Sequence, residues 1–191
     1  MSLDPSESYP KALERAATLW GIVPSFWDIF GTRHFTTPEI AKAILGSMGV
    51  PVESKESIDG AVEERLCEDW NRLVPATLVA GNPVTAIALS VPKELAGGVV
   101  SWEISTESGS RFVGGYRLTG SQGLEQVELR GRAYLRMMLP IAFDSLGYHT
   151  LRLKLENGAQ SVMAESRLIV CPDRAWFPPP WWPATPSPQS R

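Results

Sequence analysis

The sequence predicts an α+β fold that is mainly β: an immunoglobulin-like antiparallel β-sandwich preceded by about three short helices. Two observations carry this. Apolar residues recur at helical spacing over the first seventy or so positions, and after Leu73 the period changes to strict alternation. Seven or eight short runs of that kind then follow in about a hundred residues, with turn residues roughly every ten, which fits a sandwich and not a parallel α/β sheet.

The first helix is expected from Pro10 to Trp20. Leu13, Ala16, Ala17 and Trp20 fall at i, i+3, i+4 and i+7, and Gly21 follows at a left-handed stop. Residues 22–36 are aromatic and turn-rich, with Pro24 and Gly31 interrupting any period, so an ordered loop is expected. A second helix begins at Thr36-Thr37-Pro38-Glu39. Thr36 as cap would place Glu39 in a capping box, and Thr37 as cap would place Pro38 at N1. Its expected buried face is Ile40, Ala41, Ile44, Leu45 and Met48. The third helix runs from about Ile58 to Trp70, with Ile58, Val62, Leu66 and Trp70 in one stripe. Glu63, Glu64, Arg65, Glu68 and Asp69 form its solvated face, where Arg65 and Asp69 are an ordinary i,i+4 pair.

Alternation then marks the strands. Ile87, Leu89 and Val91 point one way, as do Val100, Trp102 and Ile104, and later Leu151, Leu153 and Leu155. Further strands are expected over 111–118, 127–129, 134–139 and 162–170, separated by turns such as Ser108-Gly109 and Asn157-Gly158. Trp102 is expected in the core between the sheets, and Tyr148 in a tyrosine corner. The parts expected are a helical segment, 1–72, docked on the sandwich; the sandwich, 73–171; and a Pro/Trp-rich strap or linker, 172–191. This last stretch holds seven of the sixteen prolines and three of the seven tryptophans, too much proline for a helix or central strand.

Composition excludes several function classes. Eighteen Lys and Arg against twenty-one Asp and Glu leave a net charge of -3, without the broad basic surface nucleic acid requires. No run of ~18 apolar residues exists, and the polar N-terminus lacks the basic start and apolar stretch of a secretory signal. A cytoplasmic protein with no membrane partner is expected. Cys67 and Cys171 are isolated from one another and form no CxxC pair.

No catalytic, cofactor-binding or metal-binding residue is assigned. The two histidines, His34 and His149, stand outside any Ser- or Cys-nucleophile context; His149 shares parity with Leu151 and Leu153 and is expected as a hydrogen-bonded histidine at the core edge. His34, beside Arg33 in a turn, is also expected to be structural. Glu103 and Glu125 lie on or near strands, with Glu103 on the outer face, where neither a cleft nor burial would make a glycosidase pair. Gly97-Gly98 and Gly114-Gly115 lack a following helix or Lys-Ser/Thr and are expected as turns and strand kinks. Trp20 and Trp70 belong to helix stripes. Trp27, Trp176, Trp181 and Trp182 are less accounted for and are the candidate contacts to a sugar or a partner, because a flat aromatic face can stack on the C–H face of a pyranose.

The run Leu19-Trp20-Gly21-Ile22-Val23-Pro24, then Trp27-Asp28-Ile29-Phe30-Gly31-Thr32-Arg33-His34-Phe35-Thr36, then Ala43 to Val50, resembles the N-terminal extension of bacterial 4-α-glucanotransferases, the amylomaltases or disproportionating enzymes. Leu146-Gly147-Tyr148-His149-Thr150-Leu151 and Arg167 to Trp176 are similar to later pieces of the same region, in the same order, so that the likeness spans roughly residues 10–179. The resemblance implies an enzyme that moves α-1,4-glucan segments by a retaining mechanism with two carboxylates, both in a (β/α)₈ barrel after the extension. A barrel needs about 200 residues, and no βα alternation follows residue 171, so no catalytic residue carries over. The expectation is therefore a non-catalytic accessory domain that supports a barrel partner and helps shape its acceptor side, with a stand-alone α-1,4-glucan-binding or protein-interaction module as the alternative. The departure falls after Pro179, where Pro180-Trp181-Trp182-Pro183 replaces the Trp-Gly-containing barrel strand, as in a truncated piece or a free-standing relative.

Overall fold

Each N-terminal helix starts beside residues that can take up or spare its first free N–H groups. In the computed structural model, which describes residues 4–119 and 123–175, α1 spans Tyr9–Leu19, α2 Pro38–Ser47 and α3 Lys55–Asn71. Thr37, not Thr36, caps α2, its Oγ1 accepting from the Ile40 N–H with Pro38 at N1. Ser54 and Ser57 cap α3 reciprocally, and this starts the helix three residues before the apolar stripe does. Gly21 and Gly49, at φ of +76° and +83°, end α1 and α2 in the left-handed conformation that glycine adopts without steric cost.

Between α1 and α2 the expected loop is instead a hairpin, β1 (Ser25–Trp27) and β2 (Arg33–Phe35), paired antiparallel. The correction has a local cause. Asp28 caps the intervening turn, so three residues on each side pair without needing a longer alternating pattern. The stripe Ile58, Val62, Leu66 and Trp70 is buried as expected, but α2 departs from expectation: Ala41 and Leu45 are buried while Ile40, Ile44 and Met48 are exposed. Helix α2 packs chiefly against α1, so a wide apolar face is only partly used.

The remaining strands are β3 (Thr77–Gly81), β4 (Val84–Pro92), β5 (Val99–Ser105), β6 (Arg111–Arg117), β7 (Gly123–Leu129), β8 (Arg132–Phe143), β9 (Gly147–Asn157) and β10 (Gln160–Cys171). They form a five-stranded sheet, β3-β10-β9-β5-β6, facing a three-stranded sheet, β4-β8-β7. The sandwich is not wholly antiparallel, because β3 pairs parallel with β10, Thr77 opposite Arg167 and Gly81 opposite Cys171. The first and last strands of the sandwich thus run side by side in one direction, a long-range pairing that local periodicity does not encode. Ile87, Leu89, Val91, Val100, Ile104, Leu151, Leu153 and Leu155 meet between the sheets as expected. Each fully buried leucine contributes about 1.5–3 kcal/mol relative to exposure.

Two aromatic expectations change. Trp102 does pack against the core between the sheets, but from a half-buried position, its indole lying over its cross-strand partner Gly114, where an added Cβ would collide with the ring at Cζ2. The ring accounts for glycine at position 114, whereas a Cβ at Gly115 would make only an ordinary contact with the Val100 carbonyl. Tyr148 points outward and is more than half exposed, so it is no tyrosine corner; its backbone N–H donates to Glu107 Oε2 instead. The inward neighbour is His149, buried edge-on to Phe143, with Nε2 bonded to the Ser145 carbonyl. The histidine therefore sits at the core edge as a hydrogen-bonded residue.

A second core joins the helices to the sandwich. Ala12, Leu13, Ala16, Leu45, Ile58, Val62, Leu66 and Trp70 pack with Val127 and Leu129 of β7 and Tyr134 of β8. Along this seam the Arg136 guanidinium lies 4.2 Å from the centroid of Trp70, and the Tyr134 hydroxyl donates to Asn71 Oδ1. Apolar stems and rings thereby fill the contact while their polar ends are satisfied.

Candidate functional site: a braced aromatic hairpin

The β1–β2 hairpin presents side chains on two faces, and neither is buried. Ser25, Trp27, Arg33 and Phe35 share one face, because Ser25 opposes Phe35 and Trp27 opposes Arg33; Phe26 and His34 share the other. Trp27 is 67% exposed, and at the tip Ile29 and Phe30 reach 93% and 86%. Phe26 and Phe35 are also more than half exposed. A two-stranded hairpin with no packed face is marginal by itself, so local polar contacts must hold its shape.

Those contacts are dense. Asp28 Oδ1 accepts from the N–H groups of Phe30 and Thr32 at 2.9 and 2.8 Å, fixing the turn, and Oδ2 lies 2.8 Å from His34 Nε2. The His34 hydrogen bond, followed by the Thr32 and Phe30 N–H bonds, holds the Asp28 carboxyl below its ordinary pKa. His34 in turn stacks on Phe26, centroids 5.2 Å apart. On the opposite face Arg33 donates to Ser25 Oγ through Nε and Nη2, and its guanidinium lies 4.8 Å from the centroid of Phe35. At the base Thr36 donates to Val23 and Pro24 carbonyls, its Oγ1 to the former and its N–H to the latter. His34, expected as structural, is thus the brace that fixes Asp28.

Beside the hairpin base a groove of about 370 Å³ runs between α1 and α2, lined by Leu13, Ala17, Ile22, Pro24, Pro38 and Ala41 among others. It is mostly hydrocarbon, like the hairpin above it.

The other sites weighed from sequence sit elsewhere and do different work. Glu103 is on the outer sheet face, between Arg152 at 3.4 Å and Arg111 at 3.8 Å. Two cations on one carboxylate form a surface lattice, where such pairs are worth about 0–1 kcal/mol. Arg65 and Asp69 pair at 3.5 Å, as the i,i+4 spacing implies. Cys67 is buried, and that burial pushes its thiol pKa up, away from nucleophilic use. Among the described residues no group of three or more His, Cys, Asp or Glu is arranged to hold a metal, and no helix is long and apolar enough to cross a membrane. Trp176, Trp181 and Trp182 lie outside the described residues, so the structure places only Trp27 of the four candidate tryptophans.

Reasoning from sequence missed Phe26, Ile29, Phe30 and Phe35 as companions of Trp27. The signal was present in the Asp28-to-Thr32 turn flanked by two aromatic triplets, which together make a hairpin when the turn is capped.

The sequence matches no curated protein. The family model described as the MalQ N-terminal beta sandwich domain matches residues 73–172, which run from the last turn residues before β3 to just past the end of β10. The chain belongs to the MalQ N-terminal beta sandwich domain family, the N-terminal region of amylomaltases (4-α-glucanotransferases).

Proposed function

We propose that the chain acts as a non-catalytic accessory domain of a 4-α-glucanotransferase working on α-1,4-glucans, and that its β1–β2 hairpin docks on the catalytic (β/α)₈ barrel. The observation that carries this is the braced hairpin. Ile29 and Phe30 at its tip are exposed, yet the turn bearing them is held by Asp28 through three polar contacts. Order without burial means that little entropy remains to be lost on docking, the usual advantage of a preformed binding element. A branched aliphatic and a phenyl ring at the tip suit an apolar protein groove better than a sugar, whose hydroxyls would lose water against Ile29. In this reading the domain supports the barrel and works in the cytoplasm.

Two measurements test it. The purified chain given maltotriose is expected to yield no longer or shorter oligosaccharides, and disproportionation by pure protein would overturn the non-catalytic part. A separately expressed amylomaltase barrel is expected to capture the chain, with Phe30→Asp weakening capture by about tenfold or more. Equal capture by both forms would remove the hairpin from the interface.

A second reading rests on Trp27, whose indole is 67% exposed and shares one hairpin face with Phe35. That face could serve as a stacking platform for an α-1,4-glucan. Titration with maltoheptaose, followed by tryptophan emission, decides it: no shift at millimolar sugar removes the platform.

A further inference from the structure

We infer that β6 is a docking edge for a second copy of this chain, the two β6 strands pairing antiparallel about a two-fold axis at Val113. Strand β6 is an outer strand of the five-stranded sheet and lies next to β5 alone. Two hydrogen bonds close the ends of the β5–β6 ladder: the Thr106 N–H donates to the Ser110 carbonyl, and the Leu118 N–H to the Gly98 carbonyl. These fix the ladder's phase. Bonded pairs alternate with unbonded ones in an antiparallel ladder, so between those ends Phe112, Gly114 and Tyr116 bond to β5. Arg111, Val113, Gly115 and Arg117 turn their N–H and C=O groups the other way, and among the described residues no other backbone segment is bonded to them.

The other outer strands of the sandwich are protected against such pairing. Strand β3 is five residues long between Pro75 and Pro83, neither of which has an N–H to donate. In β4 the Ser90 N–H is already taken by the Leu73 carbonyl, and β7 is interrupted by a register shift between Gly123 and Glu125. Strand β6 has neither proline nor bulge, and its register with β5 is unbroken from Arg111 to Arg117. It is an open template for another strand.

Charge selects the register and points to the same strand as the occupant. Phe112 and Tyr116 lie opposite the buried Ile104 and Val100, so the side chains of Arg111, Val113, Gly115 and Arg117 face outward, and Val113 is 72% exposed. Two copies paired with Val113 opposite Gly115 would set Arg111 against Arg117 twice, and like charges directly opposite are destabilising. Pairing about Gly115 would set Val113 against Arg117 and leave the centre without side chains. Pairing about Val113 avoids both faults. Each Val113 then meets its own copy, a favourable β-branched pair, and each Arg111 lies opposite Gly115. Arg117 comes opposite Gly109 of the second copy, alongside the exposed turn in which Glu107 supplies a carboxylate of opposite sign. Each of the three central pairs exchanges two N–H···O bonds, using the groups that β5 leaves free. A two-fold pairing needs a surface complementary to itself, and this register makes β6 one. The inference is independent of the accessory-domain reading, because the helical head packs on β7 and β8 of the other sheet; either can fail without the other.

The test is sedimentation equilibrium of the whole 191-residue chain from micromolar to millimolar concentration, with amide hydrogen exchange read residue by residue at both ends of that range. A monomer–dimer equilibrium is expected. The Val113 and Gly115 amides are expected to exchange at least tenfold more slowly in the concentrated sample, while those of Phe112, Gly114 and Tyr116 are protected in both. Val113→Lys places two ammonium groups face to face at the axis and is expected to raise the dimer dissociation constant at least tenfold. Val113→Pro removes an N–H that β5 does not use and is expected to do the same with the circular dichroism of the sandwich retained; should it fail to fold, the lysine variant and the exchange pattern of the unaltered chain still decide. A chain that stays monomeric at millimolar concentration would overturn the proposal. So would a dimer in which Val113 and Gly115 still exchange fast, or one indifferent to Val113→Lys, since another face would then be the contact. Protection of these two amides already in the dilute monomer would assign the edge to a segment of the same chain.

Discussion

The sandwich and the helical head treat their apolar residues differently. In the sandwich, Leu89, Val91, Val100, Ile104, Leu151 and Leu155 close on one another between two sheets, and each is essentially inaccessible. In the head, three helices close only part of a core and complete it with Val127, Leu129 and Tyr134 from the neighbouring sheet. Ile40, Ile44, Met48 and the hairpin aromatics remain outside. About seventy residues offer too little interior for all their apolar side chains, so some stay at the surface. The head draws part of its core from the sandwich, whereas the sandwich closes its main core between its own sheets and lends Val127, Leu129 and Tyr134 to the head.

That contrast can be tested most forcefully at the seam. Trp70→Ala is expected to cost about 3–5 kcal/mol, since it removes a buried indole together with its contacts to Tyr134 and Arg136. In urea, helical circular dichroism is expected to fall before the emission of Trp102 changes; coincident transitions would show that head and sandwich unfold as one unit. Within the sandwich, Gly114→Ala is expected to destabilise by about 1–3 kcal/mol, because the new methyl must displace the Trp102 ring. Unchanged urea stability would show that the indole is free to move.

Smaller effects probe the head from within. Ser54→Ala removes the acceptor for the Ser57 N–H and is expected to cost about 1 kcal/mol, read from thermal unfolding. The least effect on global stability is expected from pH at the hairpin. Asp28 is held below its ordinary pKa, so its bracing is complete above the unfolded-state value of about 3.9 and is lost as pH falls through the lower folded value. Amide resonances of Phe30 and Thr32 should therefore lose their folded positions only once pH falls below the usual carboxylate range. Their retention after Asp28→Ala would show that this carboxylate does not hold the turn.

Much of the fold is legible in the residues. The four-apart spacing of Ile58, Val62, Leu66 and Trp70 predicts a stripe that is buried, and the alternation of Leu151, Leu153 and Leu155 predicts a strand with one inward face. Both signals are local, and both hold because burial there follows the period. The α2 face is misjudged from sequence because period reports which side chains align, not how much of that face a neighbour covers. The hairpin is hidden for the opposite reason: three-residue strands are too short to show alternation, and the information lies in one side chain, Asp28, capping a turn. At Tyr148 and His149, parity separates an outer residue from an inner one but does not say that the tyrosine stays uncovered.

The order of the three helices and of most sandwich strands, the inward face of most of them, and the resemblance to the 4-α-glucanotransferase N-terminal region can all be read from the amino-acid sequence. These depend on residues within a few positions of each other, or on motif order along the chain. The parallel pairing of β3 with β10, the packing of Trp70 on Tyr134 and Arg136, and the hairpin standing clear of both cores emerge only in three dimensions. Each of those outcomes is set by which distant surfaces meet, and the free energy of such meetings depends on the shape left over after the local elements have formed.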